Sequence, residues 1–337
     1  MPFRSILLLL LVIFPFTNTV AQALTLSENA NVSVLTCGSG NEVYSLFGHT
    51  AIRISDPAAG LDMVYNYGAF DFDTPNFVAK FSKGDLQYFV TSDRFADFLY
   101  SYDYEKRSVV EQTLNLTPTQ KQLLYDRLTE TLVSEERFYT YKFIDRNCTT
   151  MVVDLLNEIM GKEVIVKTIR TDLPYRDILY PYFDGHFYEQ LGTSIIFGTK
   201  VDQPGDKVFL PIELWNSINM VSTDRGRLHQ SHKTWLDFGE PQQQTSWWNN
   251  PYTYLLLLIL IVVVNSKRAT MAFFAVVGSI GLFFTVAGWY SYHGELANNY
   301  NALLLNPALL PLIWFIYKRN FKYVKWLSMF CLACIAI

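Results

Sequence analysis

The distribution of apolar and polar residues divides the chain into three parts. Residues 1–23 contain one short apolar stretch, and residues 24–246 mix charged, polar and apolar positions as a water-soluble domain does. Long apolar runs dominate residues 247–337. A chain of 337 residues is long enough for one sizeable domain and a further region. We therefore interpret the sequence as a leader, a soluble domain and a membrane tail.

The leader has the features of a secretory signal peptide. Arg4 supplies a positive charge, residues 6–16 form a short apolar core, and Ala21-Gln22-Ala23 matches a small-x-small cleavage site. The apolar core is too short to cross a bilayer comfortably. We expect cleavage after residue 23 and export of the following domain, with an uncleaved anchor as the alternative.

The tail is predicted to contain several membrane spans. Its apolar runs cover residues 252–264, 271–289, 302–317 and 325–337, the last of them incomplete. Trp247 and Trp248 precede the first run, as expected for an aromatic belt at a membrane surface. This pattern predicts a multi-pass membrane protein.

Basic residues between the apolar runs predict the orientation. Lys267 and Arg268 join the first two runs, and four more basic residues surround the start of the fourth: Lys318, Arg319, Lys322 and Lys325. The loop at 290–301 has neither Lys nor Arg. Because basic loops stay in the cytoplasm, the soluble domain and the 290–301 loop are predicted on the exported side, in the periplasm of a bacterial inner membrane.

The soluble domain has the pattern of an α+β fold. Short runs of alternating or β-branched residues predict strands at 31–35, 50–55, 63–67, 86–91 and 108–116. Thr117, Pro118 and Gln120 form a capping box that starts a helix reaching about residue 133. A second helix is predicted to begin at Asn147 or Cys148 and to end at Gly161.

Composition and charge exclude some functions. Hydrophobic residues make up 50% of the chain and the formal net charge is −4, and basic runs of the type that bind nucleic acid are absent. The exported part has no Cys-x-x-Cys pair and no His/Cys cluster with zinc spacing. We therefore expect no nucleic-acid partner, no metal and no cofactor.

Cys148 is the candidate nucleophile. At a helix N-terminus the free N–H groups and the helix dipole favour a thiolate, and they can also stabilise an oxyanion. His49 begins one predicted strand and Asn66 lies on the next, so Asn66 can orient the imidazole of His49 as a base. The alternatives are a structural His49 and a disulfide between Cys37 and Cys148.

Five further residues are candidates for substrate binding. Arg53 and Arg146 suit a phosphate headgroup, or else a structural ion pair. His293, Asn298 and Asn301 lie in the exported loop and suit a lipid headgroup or another substrate, or else form an ordinary polar turn.

Four segments carry a resemblance to a known family. They are residues 35–53 (LTCGSGNEVYSLFGHTAIR), 64–72 (VYNYGAFDF), 111–117 (EQTLNLT) and 143–150 (FIDRNCTT). With them the chain resembles the Lnb N-terminal periplasmic domain family over about residues 30–330. The resemblance implies a circularly permuted papain-like fold, similar to lecithin:retinol acyltransferase, with His49 as base and Cys148 as nucleophile.

The resemblance also implies a function. It is a lipoprotein N-acyltransferase that takes an acyl chain from a membrane phospholipid, holds it as a thioester on the cysteine, and passes it to the N-terminal amine of a diacylglyceryl-cysteine lipoprotein. The implied partners are the phospholipid donor, the diacylated lipoprotein and the bilayer. A periplasmic thiol hydrolase, acting as peptidase, amidase or lipase, is one alternative. A non-catalytic membrane receptor or assembly factor is the other.

Overall fold

The computed structural model describes residues 24–239 and 246–336. The expected signal peptide and the glutamine-rich segment 241–245 lie outside the described residues. The soluble part is built on a seven-stranded antiparallel sheet with strand order β6-β4-β3-β2-β1-β5-β9. Its strands are β1 (Asn31–Cys37), β2 (His49–Asp56), β3 (Leu61–Ala69), β4 (Gln87–Arg94), β5 (Val109–Leu114), β6 (Phe138–Thr140) and β9 (His229–Leu236), and a small hairpin adds β7 (Ser222–Thr223) and β8 (Gly226–Arg227).

The five predicted strands correspond to β1–β5, which form the inner part of the sheet. The alternation in these strands arises because one face of the sheet packs against helices and the other face packs against a smaller aromatic cluster. The edge strands β6 and β9 were not predicted. Most of β9 is exposed, so it lacks the alternation that marks a half-buried strand.

Seven helices of the described soluble part lie between strands along the chain. They are α1 (Phe77–Lys83), α2 (Phe95–Tyr104), α3 (Pro118–Val133), α4 (Cys148–Met160), α5 (Tyr175–Leu179), α6 (Phe187–Ile196) and α7 (Pro211–Met220). Short 3-10 turns occur at Val43–Ser45, Glu135–Arg137, Tyr180–Phe183, Thr199–Asp202 and Gly294–Leu296. Both predicted helices are confirmed, with the capping box of Thr117 at α3 and a left-handed Gly161 after α4.

Helix α4 lies on the sheet and carries the main core. Its buried residues Val152, Leu155 and Leu156 join Ile52 and Ile54 of β2 in one apolar cluster. The N-terminus of α4 is tied to the same strand, since Thr149 Oγ1 lies 2.9 Å from Thr50 Oγ1 in a buried hydrogen bond. The fold therefore sets the first residue of α4 beside the beginning of β2.

The tail consists of apolar helices. They are α8 (Pro251–Val264), α9 (Lys267–Tyr290), α10 (Asn301–Leu304), α11 (Leu309–Tyr317) and α12 (Phe321–Ile335). Among the described residues, α9 alone is long and apolar enough to cross a membrane. Helix α8, with 14 residues, extends about 21 Å against a hydrocarbon core of about 30 Å. The predicted third span is broken between α10 and α11, around Pro307. One membrane helix is thus supported, and the further spans stay predictions.

The loop between α9 and α10 packs on the soluble domain. Ser291 Oγ donates to the carbonyl of Ser82, the Tyr292 N–H donates to the carbonyl of Lys83, and Asn299 Nδ2 donates to two carbonyls at the end of α6. At Gly198 the backbone of Ala297 comes so close that no side chain would fit. This loop therefore couples the tail to the domain that carries Cys148.

Candidate active site

Cys148 is the first residue of α4, and Asn147 caps the helix. The Asn147 side chain accepts from the N–H groups of Thr149 and Thr150, at 2.9 and 3.0 Å, and its Nδ2 donates to the carbonyls of Phe143 and Phe209. Asn147 is itself buried. This set of bonds fixes the backbone on which the Cys148 thiol stands.

His49 lies beside Cys148 at the first position of β2. Its Nε2 is 3.3 Å from Asn66 Oδ1, which the register of β2 and β3 brings to this end of the sheet by pairing Asn66 with Ala51. The imidazole also hydrogen-bonds the Cys148 thiol. The structure thus brings together the three residues predicted as catalytic.

Asp93 is a fourth member of this chain of contacts, which the sequence did not indicate. Asn66 Nδ2 donates to Asp93 Oδ2 at 3.1 Å. A carboxylate only accepts hydrogen bonds, so the amide of Asn66 must turn its Nδ2 to Asp93 and its Oδ1 to His49. His49 Nε2 then carries the proton, and Nδ1 is left with a lone pair for the thiol. Asp93 thereby favours the tautomer in which Nδ1 of His49 is able to accept a proton.

The surroundings of Cys148 favour its thiolate. Burial by itself raises the pKa of a thiol, because the thiolate loses solvation. The charge of His49 and its hydrogen bond outweigh this effect, with help from the Thr50 backbone and the Thr149 hydroxyl, so that the pKa of Cys148 lies below its usual value. A lowered pKa at a cleft is typical of a nucleophile.

Cys37 has the opposite character. It is a free, buried cysteine in the aromatic cluster under the sheet, with a hydrogen bond to Tyr102. Burial raises the pKa of Cys37 to about 12. Cys148 is free as well. In the soluble domain Cys37 and Cys148 are therefore two separate thiols, one with a raised and one with a lowered pKa, instead of the alternative disulfide.

The sequence predicted that the first N–H groups of α4 stabilise an oxyanion, and the structure corrects which of them can do so. The N–H groups of Thr149 and Thr150 donate to the Asn147 side chain. Only the N–H of Cys148, among these three, does not bind the Asn147 cap. A second donor lies near: the Tyr139 hydroxyl is buried and has no hydrogen-bond partner among the described residues. A methyl group on Gly68 would lie 3.7 Å from Cys148 Cβ and 3.9 Å from Tyr139 Oη, so both groups flank this glycine.

The two arginines predicted to bind substrate have different surroundings. Arg53 is paired with Asp62 and Glu111 at 2.8 and 3.0 Å, and its guanidinium stacks on Phe95, as in the alternative of a structural ion pair. Arg146 is exposed and lies over the Tyr139 ring at 5.4 Å from its centre. Arg146 is thus near the thiol. Arg53 belongs to an ion-pair cluster on β2, away from Cys148.

The three predicted binding residues of the 290–301 loop also differ in their surroundings. His293 Nε2 is 2.9 Å from the carbonyl of Phe81, and burial lowers the pKa of His293. Asn301 Nδ2 donates to the carbonyls of Ser194 and Ile195. Asn298 is exposed and has a left-handed backbone. Asn301 therefore holds the loop on α6, and His293 reaches a cavity described below.

Two larger spaces adjoin the small pocket of about 120 Å³ that contains the thiol. One is a cleft of about 350 Å³ with a mixed polar and apolar lining that includes His49, Asn66 and Asp93. The other is a mainly apolar cavity of about 540 Å³ that reaches α9. The thiol and the imidazole lie between them, so the site offers separate approaches to a polar group and to an apolar one.

Comparison with known proteins finds a family match over the part of the chain that carries this site. Residues 19–178 match the Lnb N-terminal periplasmic domain, a shorter stretch than expected, and it contains Cys148, His49, Asn66 and Asp93. No curated protein and no solved structure matches the chain. Together with α9, the match indicates a membrane-associated protein with a periplasmic domain, and it supports the Lnb family.

Proposed function

We propose that this protein is a lipoprotein N-acyltransferase with Cys148 as nucleophile. The observation that carries the proposal is the hydrogen-bonded series Cys148, His49, Asn66 and Asp93 at the start of a capped helix. The similarity of residues 19–178 to the Lnb domain supports the type of substrate. The resemblance to permuted papain-like acyltransferases supplies the same pair of base and nucleophile.

The first step forms an acyl-enzyme. His49 Nδ1 takes the thiol proton, and Cys148 Sγ attacks the ester carbonyl of a phospholipid, making a C–S bond. The oxyanion is stabilised by the Cys148 N–H and the Tyr139 hydroxyl. The ester C–O bond then breaks, and the imidazolium of His49 returns its proton to the leaving hydroxyl of the lysophospholipid.

The second step transfers the acyl group to the lipoprotein. The free α-amine of the diacylglyceryl-cysteine attacks the thioester carbonyl, His49 accepts a proton from the amine, and the C–S bond breaks. An amide forms, and Cys148 is restored with its proton shared with His49. Because a thioester reacts well with amines and more slowly with water, the intermediate survives until the acceptor arrives.

The surroundings of the thiol favour transfer over hydrolysis. A hydrolase needs a site for one substrate and water, whereas a transferase of this kind must admit an acyl chain and an amine. The apolar cavity and the mixed cleft both adjoin the small pocket that contains His49 and Cys148. The membrane helix α9 keeps this site near two lipid-anchored substrates.

The proposed place of the protein is the inner membrane of a bacterium, with further spans after α9 and the site on the periplasmic face. The basic residues Lys267, Arg268, Lys318 and Arg319 support this orientation, because they lie next to the connections that follow α8 and α11, and the positive-inside rule puts such basic segments in the cytoplasm.

Mass spectrometry of lipoprotein N-terminal peptides tests the function. In cells that lack the protein, we expect diacylated lipoproteins with a free α-amine, and restored N-acylation with the wild-type gene but not with Cys148→Ala. Restoration by Cys148→Ala would overturn the proposed nucleophile. Cell-wall peptide or lipid cleavage by the purified wild-type protein, without any amide product, would point to the hydrolase instead.

A further inference from the structure

A large cavity lies between the soluble domain and α9. Its volume is about 540 Å³, within the range of about 300–1,000 Å³ that is typical of ligand sites. Most of its lining is apolar and aromatic, with Phe81, Phe143 and Phe197 from the soluble domain and Phe283, Phe284 and Leu296 from the tail and its loop. A space with this lining suits a hydrocarbon.

Several polar side chains of the lining have partners within the protein. Thr193 Oγ1 donates to the carbonyl of Glu189, and Glu189 Oε2 accepts from Asn249. Glu295 Oε1 accepts from the N–H of Ile144 and lies 3.7 Å from Lys200 Nζ, a cation that also binds Asp145 and offsets part of the charge of Glu295. The other oxygen of Glu295 has no hydrogen-bond partner among the described residues. The cavity therefore presents little charge to an occupant.

One end of the cavity opens to the thiol. The small pocket around Cys148 and the apolar cavity have five lining residues in common: Tyr44, Phe47, Tyr88, Tyr141 and Phe143. A chain attached to a carbonyl at Cys148 Sγ can therefore pass these aromatic rings directly into the cavity.

The other end is formed by α9. Phe283 and Phe284 line the cavity from the one helix of the described residues that is long enough to span a bilayer, and Phe283 is 48% exposed. Apolar surface is thus continuous from the membrane helix to the thiol. This continuity specifies a membrane lipid, and no soluble ligand, as the occupant.

We propose that this cavity binds the fatty acyl chain that the phospholipid donor delivers to Cys148. The proposal rests on the proposed acyl transfer, and it adds that the length of the cavity determines which chain is transferred. The acyl chains of the acceptor lipoprotein are excluded from this role, because only the transferred chain is bonded to the carbonyl at the thiol.

Helix α6 offers a substitution that shortens the cavity. Glu189, Gly192, Thr193 and Ile196 line the cavity at spacings of three and four residues, so they share one face of the helix. A Cβ on Gly192 would meet no other atom within 4 Å, and Gly192 has an ordinary helical backbone. Gly192 is exposed at the edge of the cavity lining, so Gly192→Leu can extend a side chain across this end of the cavity without strain, and leucine suits a helix better than glycine.

The experiment uses the full-length protein in vesicles that contain equal amounts of phospholipids with 12-, 14-, 16- and 18-carbon chains. The acyl group on Cys148 is identified by mass spectrometry of the thioester peptide. We expect Gly192→Leu to lower the ratio of the longest to the shortest chain on the order of tenfold, since it displaces about two methylene groups. Phe284→Ala enlarges the cavity and is expected to shift the ratio in the opposite direction.

Gln190→Leu is the matched control, because it places the same side chain on another face of α6, outside the cavity lining. An unchanged ratio in both Gly192→Leu and Phe284→Ala, while the thioester still forms, would overturn the cavity proposal and leave the proposed function intact. An equal shift with Gln190→Leu would also overturn it.

A binding experiment separates this proposal from the chemistry. Full-length Cys148→Ala is illuminated in vesicles of a phospholipid with a photoreactive diazirine near the end of one acyl chain. We expect labelled peptides from α6 and α9, and several-fold less labelling of them in the double variant with Gly192→Leu. Labelling elsewhere only, or labelling insensitive to Gly192→Leu, would contradict the proposal even if no thioester is ever found.

Discussion

Two cysteines of the exported part differ in every property that governs reactivity. Cys148 contacts an imidazole at a helix N-terminus, and Cys37 lies among aromatic rings. The thiolate is the form that reacts, so the rate of alkylation follows the deprotonated fraction of each cysteine, which rises as the pH passes its pKa. These residues therefore permit a direct test of the predicted nucleophile.

Iodoacetamide labelling across pH should distinguish the two. With a lowered pKa, Cys148 is expected to react in the folded protein below the pH at which a free cysteine reacts, and labelling should fall as the pH drops below that pKa. Because the pKa of Cys37 is about 12, Cys37 should stay unlabelled until the protein unfolds. His49→Gln should move the Cys148 midpoint to higher pH. Equal labelling of both cysteines at neutral pH would contradict the assignment.

Asp93 is expected to act as a positioning residue. In Asp93→Ala the amide of Asn66 is free to turn its Nδ2 to His49, which favours the wrong tautomer. We expect a fall in kcat with little change in KM, smaller than the roughly 10²–10⁴-fold loss for removal of the base itself. The alkylation midpoint of Cys148 should rise as well.

Asp103→Ala is the control for this variant, since Asp103 forms an exposed ion pair with Lys106. It should change neither kcat nor the midpoint. An unaltered midpoint in Asp93→Ala would show that Asp93 does not act through His49.

The sequence indicated Cys148, His49 and Asn66 but not Asp93 or Tyr139, for a physical reason. A helix start and two adjacent strands are local patterns, and they place the first three residues together. Asp93 reaches Asn66 only through the register of β3 and β4, which pairs Asn66 with Thr91. Tyr139 lies on a three-residue edge strand. Such long-range pairings leave no mark in a single sequence.

At the scale of elements, the capped start of α4 connects stability to chemistry. Asn147→Ala removes a cap from two N–H groups and leaves the buried carbonyls of Phe143 and Phe209 without their donor. We expect the free energy of unfolding to fall by about 1–2 kcal/mol, measured in urea. The rate of thioester formation should fall too, since the backbone of Cys148 is no longer fixed.

The capping box of α3 provides the comparison. Thr117→Ala is expected to lower the free energy of unfolding by about 1 kcal/mol, with the thioester rate unchanged, because α3 carries no part of the site. A loss of rate in Thr117→Ala equal to that in Asn147→Ala would mean that stability alone governs the rate.

Strands and helices could be predicted from the sequence where one face of the element is buried and the other is exposed. Strands β1–β5 and helices α3 and α4 have clear alternation or caps, and the structure has all of them. Beyond Gly161 the short helix α5 packs in an aromatic cluster that includes Tyr175, Phe183 and Phe209, whereas α7 adds Leu214 and Ile218 to the main core. The apolar residues of this region lie partly in turns and partly in short helices, so the sequence shows neither the helical nor the strand period of apolar positions.

On the scale of the whole molecule, the exported domain and the tail form one unit through the loop after α9. Ser291, Asn299 and Asn301 bond to backbone atoms of the soluble domain, and Glu295 is buried against it. The absence of Lys and Arg from this loop predicted its side of the membrane. Its role as a joint was not predictable, since the contacts are with backbone carbonyls distant in sequence.

Cysteine labelling tests the orientation of the tail. In a Cys148→Ser background, Tyr300→Cys should react with a membrane-impermeant maleimide in cells with a permeabilised outer membrane, because Tyr300 is 70% exposed in the exported loop. Ser266 lies between α8 and α9, directly before the basic residues Lys267 and Arg268, so Ser266→Cys should react only after lysis. The reverse labelling pattern would contradict the proposed topology.

The most direct test of the account is the mass of the peptide that contains Cys148 after the full-length protein has been incubated with phospholipid vesicles without acceptor. We predict an added acyl group on Cys148 that neutral hydroxylamine removes, that a diacylated lipopeptide with a free amine discharges into an amide, and that is absent in His49→Ala. An unmodified Cys148 peptide, together with an N-acylated lipopeptide when the acceptor is present, would contradict the central claim.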